Sequence, residues 1–139
     1  MAKESGLGVT TYSIDDSAGT QRAVLNDVTA LGIATPSGEQ DVTGLDKSAH
    51  ERLLLLADGS FNMTYIFNDA ATTGIFTVMK NFRTLAASQT GRTTTFTHSG
   101  QTLAMEILWT DFPLTRAADG SLGGSTAGSL SDGTVPTWA

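Results

Sequence analysis

Residues 61–67 alternate apolar and polar side chains along the chain. One side of this stretch carries Phe61, Met63, Tyr65 and Phe67. Successive side chains of a strand point to opposite faces, so a period of two predicts a β-strand with one face against a core. A single strand is not stable alone, and the rest of the chain must supply further strands to pair with it.

Further stretches are rich in β-branched and aromatic residues, namely 9–14, 21–35, 92–99 and 101–110. These side chains favour strands. The poor strand formers Asn26 and Asp27 predict a bend or bulge inside the second stretch. Ser99 and Gly100 predict a tight turn that joins the last two stretches into a hairpin.

One short amphipathic helix is predicted at residues 74–83. Its apolar side chains recur at helical spacing and form a single face. Thr72 or Thr73 is expected to cap its N-terminus by accepting a hydrogen bond from a free N–H group. Lys80 and Arg83 lie late in the segment, where positive charge suits the helix dipole.

The chain has 139 residues, which is the length of one domain. Seven or eight strands and one helix predict a mainly β fold, a two-sheet β-sandwich or barrel with one short flanking α-helix over residues 1–139. Residues 1–8 and 131–139 are expected to be terminal arms. Residues 36–50 are expected to be a long loop, and loops of that length usually carry function.

Three segments admit two interpretations each. The four leucines at 53–56 fit a strand buried on both faces, or an apolar surface that a neighbouring subunit covers. The Gly- and Ser-rich residues 121–131 fit a weak edge strand or a flexible segment. Trp138 docks either on its own domain or on another subunit.

Groups that carry chemistry are scarce. The absence of cysteine excludes disulfides, thiolate zinc sites and cysteine nucleophiles. Only two histidines occur, and His50 and His98, with Asp46 and Glu51, match no metal-ligand spacing. We therefore expect no enzymatic activity and no cofactor.

The net charge of −6 argues against a free-standing nucleic-acid binder, since such proteins are normally basic. Residues 1–69 carry −6, residues 70–105 carry +3 and residues 106–139 carry −3. This division fits a solvated surface or complementary faces that meet in a self-assembly. The longest aliphatic run, residues 53–56, is far shorter than the ~20 residues that cross a bilayer, so we expect synthesis in a cytosol and no membrane association.

Several segments, taken together and in order, resemble the major tail tube proteins of long-tailed, non-contractile bacteriophages. The segments are residues 1–8, 26–29, 41–49, 51–58, 67–70 and 132–138. The resemblance implies a structural virion protein whose subunits form hexameric rings, and rings that stack into a hollow tube for DNA passage. It implies no catalytic residue.

The same resemblance implies partners and contacts. Besides other copies of the chain, the partners would be a tape-measure protein, a tail terminator and distal tail or baseplate proteins. DNA would pass the lumen without sequence-specific binding, and the location would be the virion tail, assembled in the host cytoplasm. The expected assembly residues lie in the long loop, the strand after it and both arms: Leu7, Asp41, Val42, Leu45, Asp46, Lys47, Arg52, Val135 and Trp138.

Two other functions stay open at this point. One is another β-sandwich virion component, either a capsid decoration or a host-carbohydrate-binding module. The other is a small enzyme on a jelly-roll-like scaffold, which would need a convergent polar pocket.

Overall fold

The computed structural model describes residues 3–139, so the first two residues of the expected N-terminal arm lie outside it. The mainly β fold with one short flanking helix is confirmed. The strands are β1 (Val9–Asp15), β2 (Gln21–Ala23), β3 (Val28–Ala34), β4 (Ser37–Asp41), β5 (Arg52–Ala57), β6 (Ser60–Ile66), β7 (Arg92–His98), β8 (Gln101–Trp109), β9 (Thr115–Arg116) and β10 (Leu122–Leu130). The helix α1 spans Ile75–Met79.

Eight strands form one antiparallel sheet in the order β2–β1–β7–β8–β10–β6–β3, with β9 paired to the first residues of β10. The remaining two, β4 and β5, pair only with each other as a separate two-stranded ribbon. A 3₁₀ turn at Leu25–Asp27 separates β2 from β3, which confirms the expected bend in that stretch.

The large sheet curls so that its two halves face one another. Strands β1 and β6 are separated by three strands in the sheet, yet the rings of Tyr12 and Phe61 lie 5.9 Å apart. The Tyr12 hydroxyl also donates to the sulfur of Met63 at 3.3 Å. The two layers of the predicted sandwich are therefore parts of one continuous sheet, and the core lies between them.

The core is built from every second side chain of the strands, the ones that face the interior of the curled sheet. On β6, Phe61, Met63 and Tyr65 are buried, as their alternation predicted. The predicted hairpin of β7 and β8 is also present, and Ser99 and Gly100 at its turn both have positive φ (52° and 76°). Positive φ at both central residues is the geometry that matches the twist of a two-residue hairpin.

Helix α1 is shorter than the predicted 74–83, and its N-cap differs from the expected Thr72 or Thr73. Gly74 occupies the N-cap position and provides no side-chain bond. Instead the buried carboxylate of Asp27 accepts the Ile75 N–H at 3.0 Å and the Asn68 amide at 2.8 Å. The cap comes from a residue 48 positions earlier, which local sequence patterns do not reveal.

Residues 121–131 are neither an edge strand nor a flexible segment. Strand β10 lies inside the sheet between β6 and β8. Its glycines are required by close packing, because a Cβ at Gly124 would collide with the carbonyl oxygen of Pro113, and one at Gly128 with the side chain of Ile107. Small residues therefore allow the strand to fit there.

The expected loop at 36–50 is also shorter than predicted, because residues 37–41 form strand β4. The connection between the two strands of the ribbon is the ten-residue segment 42–51, called the ribbon tip below. In residues 37–41, main-chain pairing with β5 overrides a Gly-containing, polar composition that favours a loop.

Candidate assembly surfaces

The ribbon of β4 and β5 extends from the main sheet as an independent element. Its register pairs Glu39 with Leu54, Gln40 with Leu53 and Asp41 with Arg52. At its base, the Asp58 N–H donates to the carbonyl of Pro36 at 2.8 Å. Both outer edges of the ribbon lack a strand partner within residues 3–139.

Four leucines of β5 are exposed on both faces of this ribbon. Leu53 and Leu54 pair with Gln40 and Glu39 on opposite faces, and a register shift opposite Gly38 interrupts the regular alternation after them. The exposed fractions are 54% for Leu53, 79% for Leu54, 48% for Leu55 and 89% for Leu56. The interpretation of a strand buried on both faces is therefore wrong for the isolated chain. A two-stranded ribbon is at best marginally stable in water, and such an apolar surface is typical of an interaction site.

The ribbon tip is held by a small polar network. The Asp41 carboxylate accepts hydrogen bonds from the hydroxyl and the N–H of Thr43, and it lies 2.9 Å from Nδ1 of His50. The bonds from Thr43 are the main cause that lowers the pKa of Asp41, and the bond with His50 adds to it. Thr43 in turn accepts the Glu51 N–H at 2.9 Å, which ties the two ends of the tip together.

The charged groups of the ribbon form exposed pairs with one another. Lys47 lies 3.7 Å from Asp46 and 3.5 Å from Glu51, and Arg52 lies 3.7 Å from Glu39. Exposed pairs of this kind contribute little to stability, about 0–1 kcal/mol each. The charged groups of these pairs lie on the surface of the ribbon, where another molecule can contact them.

The predicted assembly residues thus fall into two groups in space. Asp41, Arg52 and the tip residues lie on the ribbon, where Leu45 is fully exposed and Val42 is partly exposed. The others, Leu7, Val135 and Trp138, lie on the terminal segments. The exposed leucines of β5 lie beside the first group and are not among the predicted assembly residues, although cover by a neighbouring subunit is one interpretation of their sequence: Leu53, Leu54, Leu55 and Leu56.

The terminal segments dock on the hairpin of β7 and β8. Glu4 accepts the Ser99 hydroxyl at 2.9 Å and lies 3.5 Å from Nε2 of His98. At the other terminus, Ala139 and Thr102 exchange two backbone hydrogen bonds of 2.8 and 2.9 Å.

Trp138 contacts its own domain. Its ring meets the ring of Phe96 edge-on at a centroid distance of 6.1 Å, and about half of the side chain stays exposed. Leu7 and Val135 are also exposed. A surface groove of about 580 Å³ lies between the termini, lined by Glu4, Phe96, His98, Ser99, Gln101 and Trp138.

A second groove follows the open seam of the curled sheet, and we call it the seam groove. Its volume is about 390 Å³ and no charged residue lines it. It lies beside β3, whose outer edge has no strand partner within the described chain, and beside the start of β1. Its apolar lining consists of Val9, Leu25, Val28, Leu31, Ile33 and Phe96, with Gly6, Thr29 and Ala30 completing the wall.

The basic segment at residues 70–105 exposes less charge than the sequence suggested. Arg92 is buried, with its guanidinium bonded to main-chain oxygens after α1. Lys80 and Arg83 are exposed, and Arg83 lies over the Phe82 ring at 4.4 Å. The exposed basic surface of residues 70–105 therefore consists of two side chains at and beyond the end of the helix.

No group of three or more His, Cys, Asp or Glu residues placed to hold a metal occurs among residues 3–139. In the same part of the chain, no helix is both long and apolar enough to span a membrane.

The fold is shared with chains of two solved particle structures. A chain from the tail of an empty GTA particle, obtained by helical refinement with C6 symmetry, matches with a TM-score of 0.74 at 15% identity over 99% of both chains. A chain from the virion of a native gene transfer agent (GTA) particle matches with a TM-score of 0.72 at 14% identity, again over 99% of both. No protein-family model and no curated protein sequence matches the chain.

Proposed function

We propose that the protein is the structural subunit of a phage-type tail tube, in which six copies form a ring and rings stack into a hollow tube. The observation that carries this proposal is the whole-chain similarity to a chain of a tail refined with C6 symmetry. A subunit of such an assembly needs surfaces that other copies cover, and the exposed leucines of β5 are such a surface.

The leucine surface is large enough to contribute to association but not to drive it alone. Full burial of a leucine side chain is worth ~1.5–3 kcal/mol, so covering the exposed two-thirds of four leucines yields ~4–8 kcal/mol. Association of two proteins costs ~4–15 kcal/mol in lost freedom. A closed ring, in which every copy makes the contact twice, offsets this cost better than an isolated dimer does.

The free edges of the sheet support the same conclusion. Strands β2 and β3 are the two ends of the large sheet, and both present unpaired backbone groups. Open edges are an aggregation liability in a monomer, and ring closure removes them. Stacking of rings is heterologous and open-ended, so a tape-measure protein and a terminator would set the length of the tube.

The charge of the chain suits a conduit for DNA. Six copies at −6 each carry a formal charge of −36 per ring. Acidic side chains outnumber basic ones, 14 to 8, so DNA is repelled on average and can slide without sequence-specific binding. Distal tail or baseplate proteins would contact the end of the tube, and the subunit itself would have no enzymatic role. Its place would be the virion tail, assembled in the host cytoplasm.

Negative-stain electron microscopy of the concentrated protein tests the proposal. We expect six-fold rings or uniform hollow tubes. The control is the Leu54→Asp, Leu56→Asp double variant, which keeps the fold and loses the apolar surface. Only monomers at high concentration for both proteins would contradict self-assembly.

One observation favours a second candidate, a host-carbohydrate-binding virion module. The groove between the termini presents a half-exposed tryptophan next to Glu4 and Gln101. An aromatic face beside polar groups is a common arrangement for binding sugars. Sugar-dependent changes in Trp138 fluorescence, in a protein that forms no polymer, would support this candidate over the tube.

A further inference from the structure

We propose that the seam groove of one copy receives strand β5 of a second copy. The ribbon and the groove would then be the two halves of one heterologous contact. This inference rests on the proposed assembly of copies and goes beyond it by naming both contacting surfaces. None of the groove residues is among those that the sequence indicated for assembly, and of β5 only Arg52 is.

The backbone on both sides is ready to pair. The outer edge of β3, from Val28 to Ala34, has no strand partner within residues 3–139. Strand β2 pairs only with Ser13, Ile14 and Asp15 of β1, so the start of β1 is also open on that side. Strand β5 has one free edge of its own, and an extended segment with a free edge adds readily to an open sheet.

The side chains on both sides also match. The groove is lined by half-buried apolar residues and carries no charge, and residues 53–56 of β5 carry no charge either. Bringing them together therefore leaves no buried charge without a partner. Consecutive leucines also suit a strand that must be covered on two faces, one by the groove and one by a further neighbour.

A second copy fits this groove better than the chain's own ribbon. Only Thr35 and Pro36 separate β3 from β4, and the hydrogen bond from Asp58 to Pro36 closes the base of the ribbon. Folding back onto the same β3 would break that bond. A second copy brings a leucine strand without this cost, and the contact it makes is modest enough to need repetition around a ring.

Cysteine pairing between copies tests the proposal, because the chain has no natural cysteine. One variant carries Leu31→Cys in the groove. Two others carry Leu53→Cys or Leu54→Cys, which pair with Gln40 and Glu39 and lie on opposite faces of the ribbon. The control variant is Leu108→Cys, which is exposed on the outer face of β8. Pairs of singly substituted proteins are mixed, assembled, oxidised mildly and analysed by mass spectrometry.

We expect the groove variant to form disulfide-linked heterodimers with the ribbon variant whose cysteine faces the groove. Their yield should be about ten times that of heterodimers between either variant and the control, because docking raises the effective concentration of the two thiols. Equal yields with the control, in material that electron microscopy shows to be assembled, would overturn the inference and leave the proposed function standing. A disulfide within one chain of a Leu31→Cys, Leu54→Cys protein, in place of the link between copies, would overturn the second copy as occupant. Absence of any assembly by the natural chain would instead reject the proposed function.

A mixing experiment covers the case in which a cysteine variant fails to assemble. A ribbon variant (Leu54→Asp, Leu56→Asp) and a groove variant (Ala30→Arg) change exposed residues only. Each alone should remain monomeric. When the two variants are mixed, they should form one-to-one dimers and nothing larger, because each pair has only one intact ribbon and one intact groove. Full polymer in the mixture, or polymer from Ala30→Arg alone, would overturn the inference.

Discussion

Replacement of Arg92 by methionine should destabilise the protein strongly. The sequence places this residue among the cations of a basic segment, but its side chain is almost fully buried. The guanidinium donates to the carbonyl of Val78, to the carbonyl and side chain of Asn81 (2.8 and 3.2 Å) and to the carbonyl of Thr84 (3.1 Å). It thus satisfies the main-chain oxygens that the end of α1 leaves without partners.

The magnitude follows from these contacts. Removing one partner of a buried charged network costs ~3–5 kcal/mol, because the remaining polar groups stay buried and unpaired. The loss of stability is partly offset, because the methionine variant no longer buries a positive charge. Burial of that charge lowers the pKa of Arg92, while Asp16 and Asp15 act to raise it. A domain of this length is stable by ~7–20 kcal/mol, at ~0.05–0.15 kcal/mol per residue. We therefore expect a loss of ~3 kcal/mol and a fall in Tm of about 10 °C.

Urea unfolding followed by tryptophan fluorescence measures this loss. The matched control is Arg83→Met, which removes an exposed arginine from the same segment and should cost less than ~1 kcal/mol. Arg92→Lys should lie between the natural chain and Arg92→Met, since it keeps the charge but not the fork of donors. An unfolding free energy for Arg92→Met within ~1 kcal/mol of the natural chain would refute the capping argument.

Four further outcomes are expected. Leu54→Asp with Leu56→Asp should abolish rings and tubes in electron microscopy while the circular dichroism spectrum is unchanged. Deletion of residues 40–48 should likewise leave a folded main sheet and no tubes, and intact tubes from that deletion would contradict the role of the ribbon. Burial acts to raise the pKa of Asp16, but the hydrogen bonds that its carboxylate accepts outweigh burial and hold the pKa below the ordinary 3.8. The ionised carboxylate therefore stabilises the fold fully above pH 3.8, and this stabilisation is lost as the pH falls through the lowered pKa. The loss of unfolding free energy in Asp16→Asn, measured by urea unfolding, should be clear at neutral pH and fade on strong acidification. Gly128→Ala should lower the unfolding free energy by ~1–3 kcal/mol, since its Cβ would press on buried side chains of β8, and a neutral effect would show that β10 can shift.

The elements that the sequence predicts well are those whose signals are local. The alternation in β6 and the Ser99–Gly100 turn of the β7–β8 hairpin depend on residues a few positions apart, and both are present. The bend at Asn26 and Asp27 is local in the same sense. Such features are determined by backbone preference and by one buried face, which a single stretch of chain records.

The elements that sequence reasoning missed depend on distant residues. Strand β10 has a composition typical of a loop, and only residues distant in the chain, Pro113 and Ile107, explain why Gly124 and Gly128 carry no side chain. The cap of α1 by Asp27 and the burial of Arg92 depend equally on residues that are far away in the chain. In each case the tertiary contact overrides the local propensity.

The candidate site shows a different limit. Four consecutive leucines indicate an apolar surface that something must cover, but hydrophobicity alone does not distinguish cover by the same chain from cover by another. The ribbon of β4 and β5 resolves this for the isolated subunit, in which the leucines are exposed. The predicted residues of the tip and termini lie on the surface beside them, and their role in assembly remains a prediction.

The position of β10 also decides when the subunit can fold during its synthesis. This strand leaves the ribosome after both of its neighbours, yet it lies between β6 and β8 and joins the two halves of the sheet. Before it emerges, both neighbouring strands expose an open edge, and the apolar interior has no complete enclosure. The ribbon of β4 and β5, in contrast, pairs over a short stretch of chain and can form early. A growing chain therefore presents its leucines before it has a finished domain, and the emergence of β10 is the step that completes the enclosure of the core.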